Sequence, residues 1–224
     1  MLHYDHANHQ SFERSWWGDC SKTYGEETKQ LTYANRMGMV STEQDGRWPI
    51  YDLRGKSILD LGGGPSSILL KTVNGNRLTV IDPCKYPEWV VMRYDDCGIE
   101  YGRCCAEDFD TTARYDEAWI YNVLQHVRDP ETIINNAFRF AKVIRIFEWI
   151  DIPPHLGHPH EIPGVAVARR RAADPEVEVL VGEVGLVLAQ VAGHAAGPGD
   201  RAGGTPVDRF GLREHPHSLR TIDE

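Results

Sequence analysis

No uninterrupted apolar run in this 224-residue chain approaches the roughly 20 residues that a helix needs to cross a bilayer, and the polar start 1–10 lacks the apolar stretch of a signal peptide. No C-x-x-C pair is present. The five cysteines (Cys20, Cys84, Cys97, Cys104, Cys105) are odd in number, which argues against a disulfide framework or a finger-type zinc site. Excess positive charge is missing too: a net charge of -9 disfavours a grip on nucleic acid built by neutralising phosphates. His3, His6 and His9 form H-x-x-H-x-x-H, but on a helix these side chains converge only in part, so no metal site is expected from them. The absences together give the expectation of a soluble, cytoplasmic protein with reduced thiols and no membrane or nucleic-acid partner. Its length suits one domain with an appendage.

What the chain does have is a triple glycine. Ser57 to Ser67 runs Ser-Ile-Leu-Asp-Leu-Gly-Gly-Gly-Pro-Ser-Ser, a short apolar strand that must end in a tight turn. Gly62, Gly63 and Gly64 let the backbone take positive φ and let a ligand approach without meeting a Cβ, and Pro65 suits a first helical position. A phosphate-cradling P-loop wants Gly-Lys-Ser/Thr, and no basic residue lies between Ser57 and Leu70. A dinucleotide G-x-G-x-x-G is matched at Gly62 and Gly64, but Ser67 stands in the third place. Asp60 precedes the turn by two residues. A carboxylate there repels a pyrophosphate and suits a ligand that carries an ammonium and a sulfonium. The next apolar run, Leu78 to Ile81, ends at Asp82, about 20 residues past the first glycine, where an acid meets the ribose hydroxyls of an adenosine cofactor.

Asp60-Leu-Gly-Gly-Gly-Pro65 resembles the first motif of the class I S-adenosylmethionine-dependent methyltransferases. Cys105-Ala-Glu107-Asp108-Phe109 is similar to that family's adenine-contact segment, and Tyr115 to Pro130 to its fourth strand and following loop. The resemblance covers residues 50–160 approximately. It implies S-adenosyl-L-methionine held by Asp60, Gly62, Gly63, Gly64, Asp82, Glu107, Asp108 and Asn122, with methyl transfer to an oxygen or nitrogen of a small molecule. It also implies that the loop after the fourth strand faces the substrate, where His126 can take a proton. Two alternatives stay open: an NAD-dependent oxidoreductase and a non-catalytic domain that binds the same sulfonium donor. Nucleic-acid methylation is disfavoured, because Ile120-Tyr121-Asn122-Val123 does not match the Asn/Asp-Pro-Pro-aromatic motif of exocyclic-amine enzymes.

Strands are expected at 57–61, 78–82, 99–103, 116–121 and 142–149, and helices at 65–73, 87–95 and 130–141. This is the α/β alternation of a doubly wound, mostly parallel Rossmann-like sheet with helices on both faces. Residues 1–50 precede it as an N-terminal helical cap or lid, in which Thr23 and Glu26 have capping-box spacing. Trp16 and Trp17, adjacent and unable to enter one core together, are substrate or lid candidates with Tyr24. His155 and His158 lie in a proline-rich segment expected to face the substrate rather than bind metal.

The domain 51–163 ends at a compositional break. Every Trp, Tyr, Cys, Met, Asn and Lys of the chain precedes Pro163. Within 164–224, Val177 to Ala189 suggests an antiparallel hairpin with Gly182-Glu183 as its turn, and the Gly/Pro-rich stretch Gly193–Pro206 suggests disorder. A shifted reading frame in a GC-rich gene is a second explanation of the break.

Overall fold

The apolar runs become strands because each is flanked by glycine, proline or acidic residues that stop it. The computed structural model describes residues 6–42, 49–148, 153–154, 161–162 and 178–183. Two helices come first, α1 (His6–Trp17) and α2 (Tyr24–Arg36). Then follow β1 (Tyr51–Asp52), β2 (Ile58–Leu61), β3 (Thr72–Val73), β4 (Leu78–Ile81), α3 (Glu88–Asp96), β5 (Glu100–Gly102), β6 (Tyr115–Tyr121), α4 (Pro130–Phe140), β7 (Ala141–Glu148) and β8 (Glu178–Glu183). Among the described residues no helix is long and apolar enough to cross a membrane.

Six strands form one sheet in the order β5-β4-β2-β6-β7-β8, every neighbouring pair parallel. The order reverses between β2 and β6, which opens a crevice at their carboxyl ends. The central strands β2, β4 and β6 are largely buried on both faces, and alternate residues feed two cores. Leu59, Leu61, Ile81, Ala118, Ile120, Ile144 and Ile146 pack with Ile133, Ala137 and Phe140 of α4. Ile58, Val80, Trp119 and Phe147 point the other way, toward Tyr33 and Ala34 of α2 and Val90 and Tyr94 of α3. Helices therefore cover both faces, as expected. Each fully buried Ile or Phe contributes about 1.5–3 kcal/mol.

Glu117, at the middle of β6, is the exception in this apolar layer. Its carboxylate accepts from Trp119 Nε1 at 2.8 Å, from Arg145 Nη2 at 3.0 Å and from Lys56 Nζ at 2.5 Å. Burial pushes this carboxyl up, but the bonds from Arg145, Lys56 and Trp119 outweigh it and hold the group at about 2. Arg145 also donates through Nη1 to the carbonyl of Met37 at 3.3 Å, which ties the end of α2 to the sheet.

Three expectations are corrected. The helix expected at 65–73 is a single 3₁₀ turn, Ile68–Lys71. Ser67 is extended and its Oγ caps Leu69 N at 3.0 Å, while Thr72 and Val73 pair with Tyr51 and Asp52, so the chain has no room for an α-helix between turn and strand. The proposed turn at Gly182-Glu183 is not there: both residues lie within β8, in register with Phe147 and Glu148. The open edge of β7 pairs with the whole run, so Gly182 sits in a ladder instead of a bend. Thr23 does occupy the N-cap of α2, but its side chain makes no capping hydrogen bond, and Glu26 pairs with Lys29. The tail 193–206, like the rest of 184–224, lies outside the described residues, as do His155 and His158.

Candidate active site

The glycine turn sits at the reversal point, and its three glycines are required for different reasons. Gly62 and Gly64 have φ of 81° and 64°. A Cβ on Gly62 would lie 2.4 Å from Val123 Cγ2, so the loop after β6 rests directly on this residue. A Cβ on Gly63 would lie 2.6 Å from Asp60 Oδ2. The turn is gripped from behind by α3: Tyr94 Oη donates to Gly64 O at 2.8 Å and accepts from Ser67 N at 2.9 Å, and Arg93 donates to Pro65 O.

Asp60 lies behind the turn, on the α2/α3 face of the sheet. It is buried, and its Oδ2 accepts from Ser67 Oγ at 2.5 Å. Burial, opposed by the Ser67 bond and reinforced by Asp82, pushes its carboxyl up to about 7. Its Oδ2 also lies where a Cβ on Gly63 would stand, so the carboxylate packs directly beneath the turn. Asp82 faces the crevice more squarely. It accepts from Gly64 N at 3.1 Å, from Cys84 N at 2.9 Å and from the Tyr86 hydroxyl at 3.0 Å. Burial is the main cause that lifts it to about 6, against the pull of those three bonds.

Across the crevice, Asn122 ends β6 with φ of 57°, a left-handed conformation that costs a non-glycine residue on the order of 1–3 kcal/mol. Its N–H donates to Phe147 O at 2.7 Å, and its buried Oδ1 has no hydrogen-bond partner. A buried acceptor without a partner on such a residue is able to accept from a ligand donor. The 3₁₀ turn Leu124–His126 follows, with His126 Nδ1 3.1 Å from Glu13 Oε1 of α1.

No family model matches the sequence, and no curated protein matches it. Solved structures do. The chain is similar to the 1,6-didemethyltoxoflavin-N1-methyltransferase of Burkholderia thailandensis, solved with 1,6-didemethyltoxoflavin and S-adenosylhomocysteine, at 18% identity and a TM-score of 0.50 over 77% of this chain and 80% of that one. The fold is that of the class I methyltransferases. A methyltransferase of Thermotoga maritima (14% identity, TM-score 0.45, 72% of this chain and 77% of that one) and the N-methyltransferase NodS of Bradyrhizobium japonicum (20%, 0.39, 59% and 67%) also match.

Within this class I frame the remaining candidates divide. Glu107 faces away from the crevice: its Oε1 accepts from Arg128 N at 2.8 Å, and Asn136 Nδ2 holds the Glu107 carbonyl at 3.0 Å. Asp108 pairs with Arg128 Nη2 at 2.8 Å on the surface. These two side chains fasten the segment to the start of α4. Of the two indoles, Trp17 packs against the α2/α3 core, and its Cζ2 would lie 3.7 Å from a Cβ on Gly64, so the ring covers the turn. Trp16 is 66% exposed and points away. Tyr24 opens α2, but its side chain lies outside the described residues.

Three residues that the sequence reading passed over belong here: Glu13, Tyr86 and Glu148. Glu13 stands four residues before Trp17, so both occupy one face of α1, and that spacing was the available signal. Glu148 ends β7, much as Asp82 follows directly on β4. It is fully buried, with Oε1 accepting from Val123 N at 2.6 Å and Leu124 N at 2.9 Å. Burial, only partly offset by those bonds and by His126, raises its carboxyl to about 7.

Proposed function

We propose that the protein is an S-adenosylmethionine-dependent methyltransferase, acting in the cytoplasm on an oxygen or nitrogen of a small molecule. The observation that carries this reading is what meets at the β2/β6 reversal: the glycine turn after β2, the Asp82 carboxylate at the end of the next strand and bonded to Gly64 N, and the partnerless Asn122 acceptor just after β6. The residues fit the cofactor. The backbone at Gly64, where a Cβ would meet nothing nearer than 3.7 Å, can border its methionyl end, Asn122 Oδ1 can accept from its ammonium, and Asp82 can take ribose hydroxyls where the Tyr86 hydroxyl now donates. Asp60 supports the turn from beneath. When bound, the cofactor supplies a methyl group on a positively charged sulfur. The chain's own work is then to orient the acceptor in line, exclude water and accept a proton. Trp17 over Gly64 supports the exclusion, and His126, in the loop that rests on Gly62, supports proton transfer. The small heterocycle bound by the Burkholderia enzyme supports the substrate class.

Calorimetry with S-adenosylhomocysteine tests the reading. Binding by the wild type is expected, weakened in Asp82→Ala by about 1.5–3 kcal/mol as charged hydrogen bonds are lost. A folded sample that takes up NADH but no S-adenosylhomocysteine would turn the assignment to an oxidoreductase. Binding without turnover across a panel of hydroxyl and amine metabolites would leave a non-catalytic domain.

A further inference from the structure

His126 is met by acids from two sides, and neither acid is supplied by its own loop. From α1, Glu13 Oε1 comes to 3.1 Å of Nδ1, at ion-pair distance rather than in a straight hydrogen bond, with both side chains mostly covered (24% and 18% exposed). From the end of β7, Glu148 grips the loop itself: Oε1 takes the N–H groups of Val123 and Leu124, the residues that open the one-turn helix carrying His126. That turn is closed by His126 N donating to Val123 O at 2.9 Å. Glu148 is fully buried, its Oε2 has no hydrogen-bond partner, and it interacts electrostatically with His126. Glu13 also interacts electrostatically with Asp82.

We propose that Glu13 and Glu148 are positioning residues for His126: Glu148 fixes the backbone that carries the ring, and Glu13 fixes which ring nitrogen holds the proton. A carboxylate can only accept, so a neutral imidazole facing one at Nδ1 keeps its proton there and leaves the lone pair on Nε2. Its use rests on the methyltransferase reading; its geometry does not. In that use, the acceptor atom's lone pair attacks the methyl carbon, and the carbon–sulfur bond breaks with its electrons passing to sulfur. The proton on the acceptor atom goes to Nε2. The imidazolium so formed faces the Glu13 carboxylate at Nδ1. Glu13 shares a helix face with Trp17, so seating α1 over Gly64 and completing the histidine pair are one event.

The test is nitrogen-15 NMR of the imidazole in alkaline buffer, where histidine side chains are neutral, with His126 assigned from the signal lost in His126→Gln. The wild type is expected to show the Nδ1–H tautomer. Glu13→Gln, whose amide oxygen still accepts, should keep it, and Glu13→Ala should release it toward Nε2–H. An Nε2–H wild type, or a Glu13→Ala spectrum identical to it, overturns the role of Glu13. For Glu148, amide exchange at Val123 and Leu124 is the measure: protection retained in Glu148→Gln and lost by about tenfold or more in Glu148→Leu, as local opening becomes easier. Equal protection in both variants overturns that half. Calorimetry with S-adenosylhomocysteine on the same samples separates the two levels. A wild type that does not bind it sinks the methyltransferase reading while the tautomer result stands, and binding with an unordered imidazole sinks the positioning role alone.

Discussion

Glu117 and the trio Asp60, Asp82 and Glu148 are carboxylates buried in one sheet, yet they are pushed in opposite directions. Glu117, in mid-strand, is answered by Lys56 and Arg145 and held at about 2. The three at the strands' carboxyl ends accept from a serine hydroxyl, a tyrosine hydroxyl and backbone N–H groups, all neutral donors, and burial raises them to about 7, 6 and 7. Depth is similar; the charge of the partner decides. An acid compensated by cations of its own chain is part of the scaffold, while buried acids served only by neutral donors near the strands' carboxyl ends are the ones whose surroundings favour added positive charge.

The contrast breaks most visibly at Glu117. Glu117→Ala leaves Arg145 mostly covered and without its carboxylate, so urea denaturation should show a loss of about 3–5 kcal/mol. Asp60→Asn should cost far less, because a neutral side chain already approximates the native state near pH 7. If the two cost the same, the distinction between scaffold and ligand acids fails.

The next effect concerns the turn. Gly62→Ala demands positive φ of an alanine and drives its Cβ into Val123, which should cost about 1–3 kcal/mol and weaken S-adenosylhomocysteine by about tenfold or more. Thermal melts and calorimetry report both. Retained affinity would mean that the ligand does not use this loop.

The pH dependence follows from the signs. For the trio, the folded carboxyl values lie above those of free carboxylates, so the folded state binds more protons and stability falls as pH rises from about 4 to about 7. Glu117 is lowered, so its contribution is present above about 4.5 and is lost as pH falls toward about 2. The melting temperature should thus be higher near pH 5 than near pH 8, and the slope should flatten in the Asp60→Asn, Glu148→Gln double variant. An unchanged slope would assign the dependence to other groups. The smallest effect is at Trp16, where replacement by Ala should stay within about 0.5 kcal/mol, whereas Trp17→Ala should cost about 2 kcal/mol or more.

Much of this architecture was legible before folding. The apolar runs ending at Leu61, Ile81 and Tyr121 lie in parallel strands, and the glycine turn falls at the sheet's reversal point. The helix after the turn was not legible: Ile68-Leu-Leu-Lys71 has helical composition, but the ladder of β3 with β1 draws Thr72 into an extended conformation. The bond from Arg128 N to the Glu107 carboxylate was not legible either, because it joins two segments 21 residues apart.

The order of strands, the bend at Gly62–Gly64 and the acid at Asp82 follow from short stretches of chain, since apolar periodicity, stop residues and glycine's freedom at φ are local properties. The rest required the folded chain. Register with Val80 and Trp119 turned Asp60 to the α2/α3 face, and the packing of α1 across the sheet brought Glu13 to His126. The same packing left Glu148 to hold the loop beside it. Which way an acid points, and which distant side chain it meets, is settled by burial against other elements, and no local pattern encodes that.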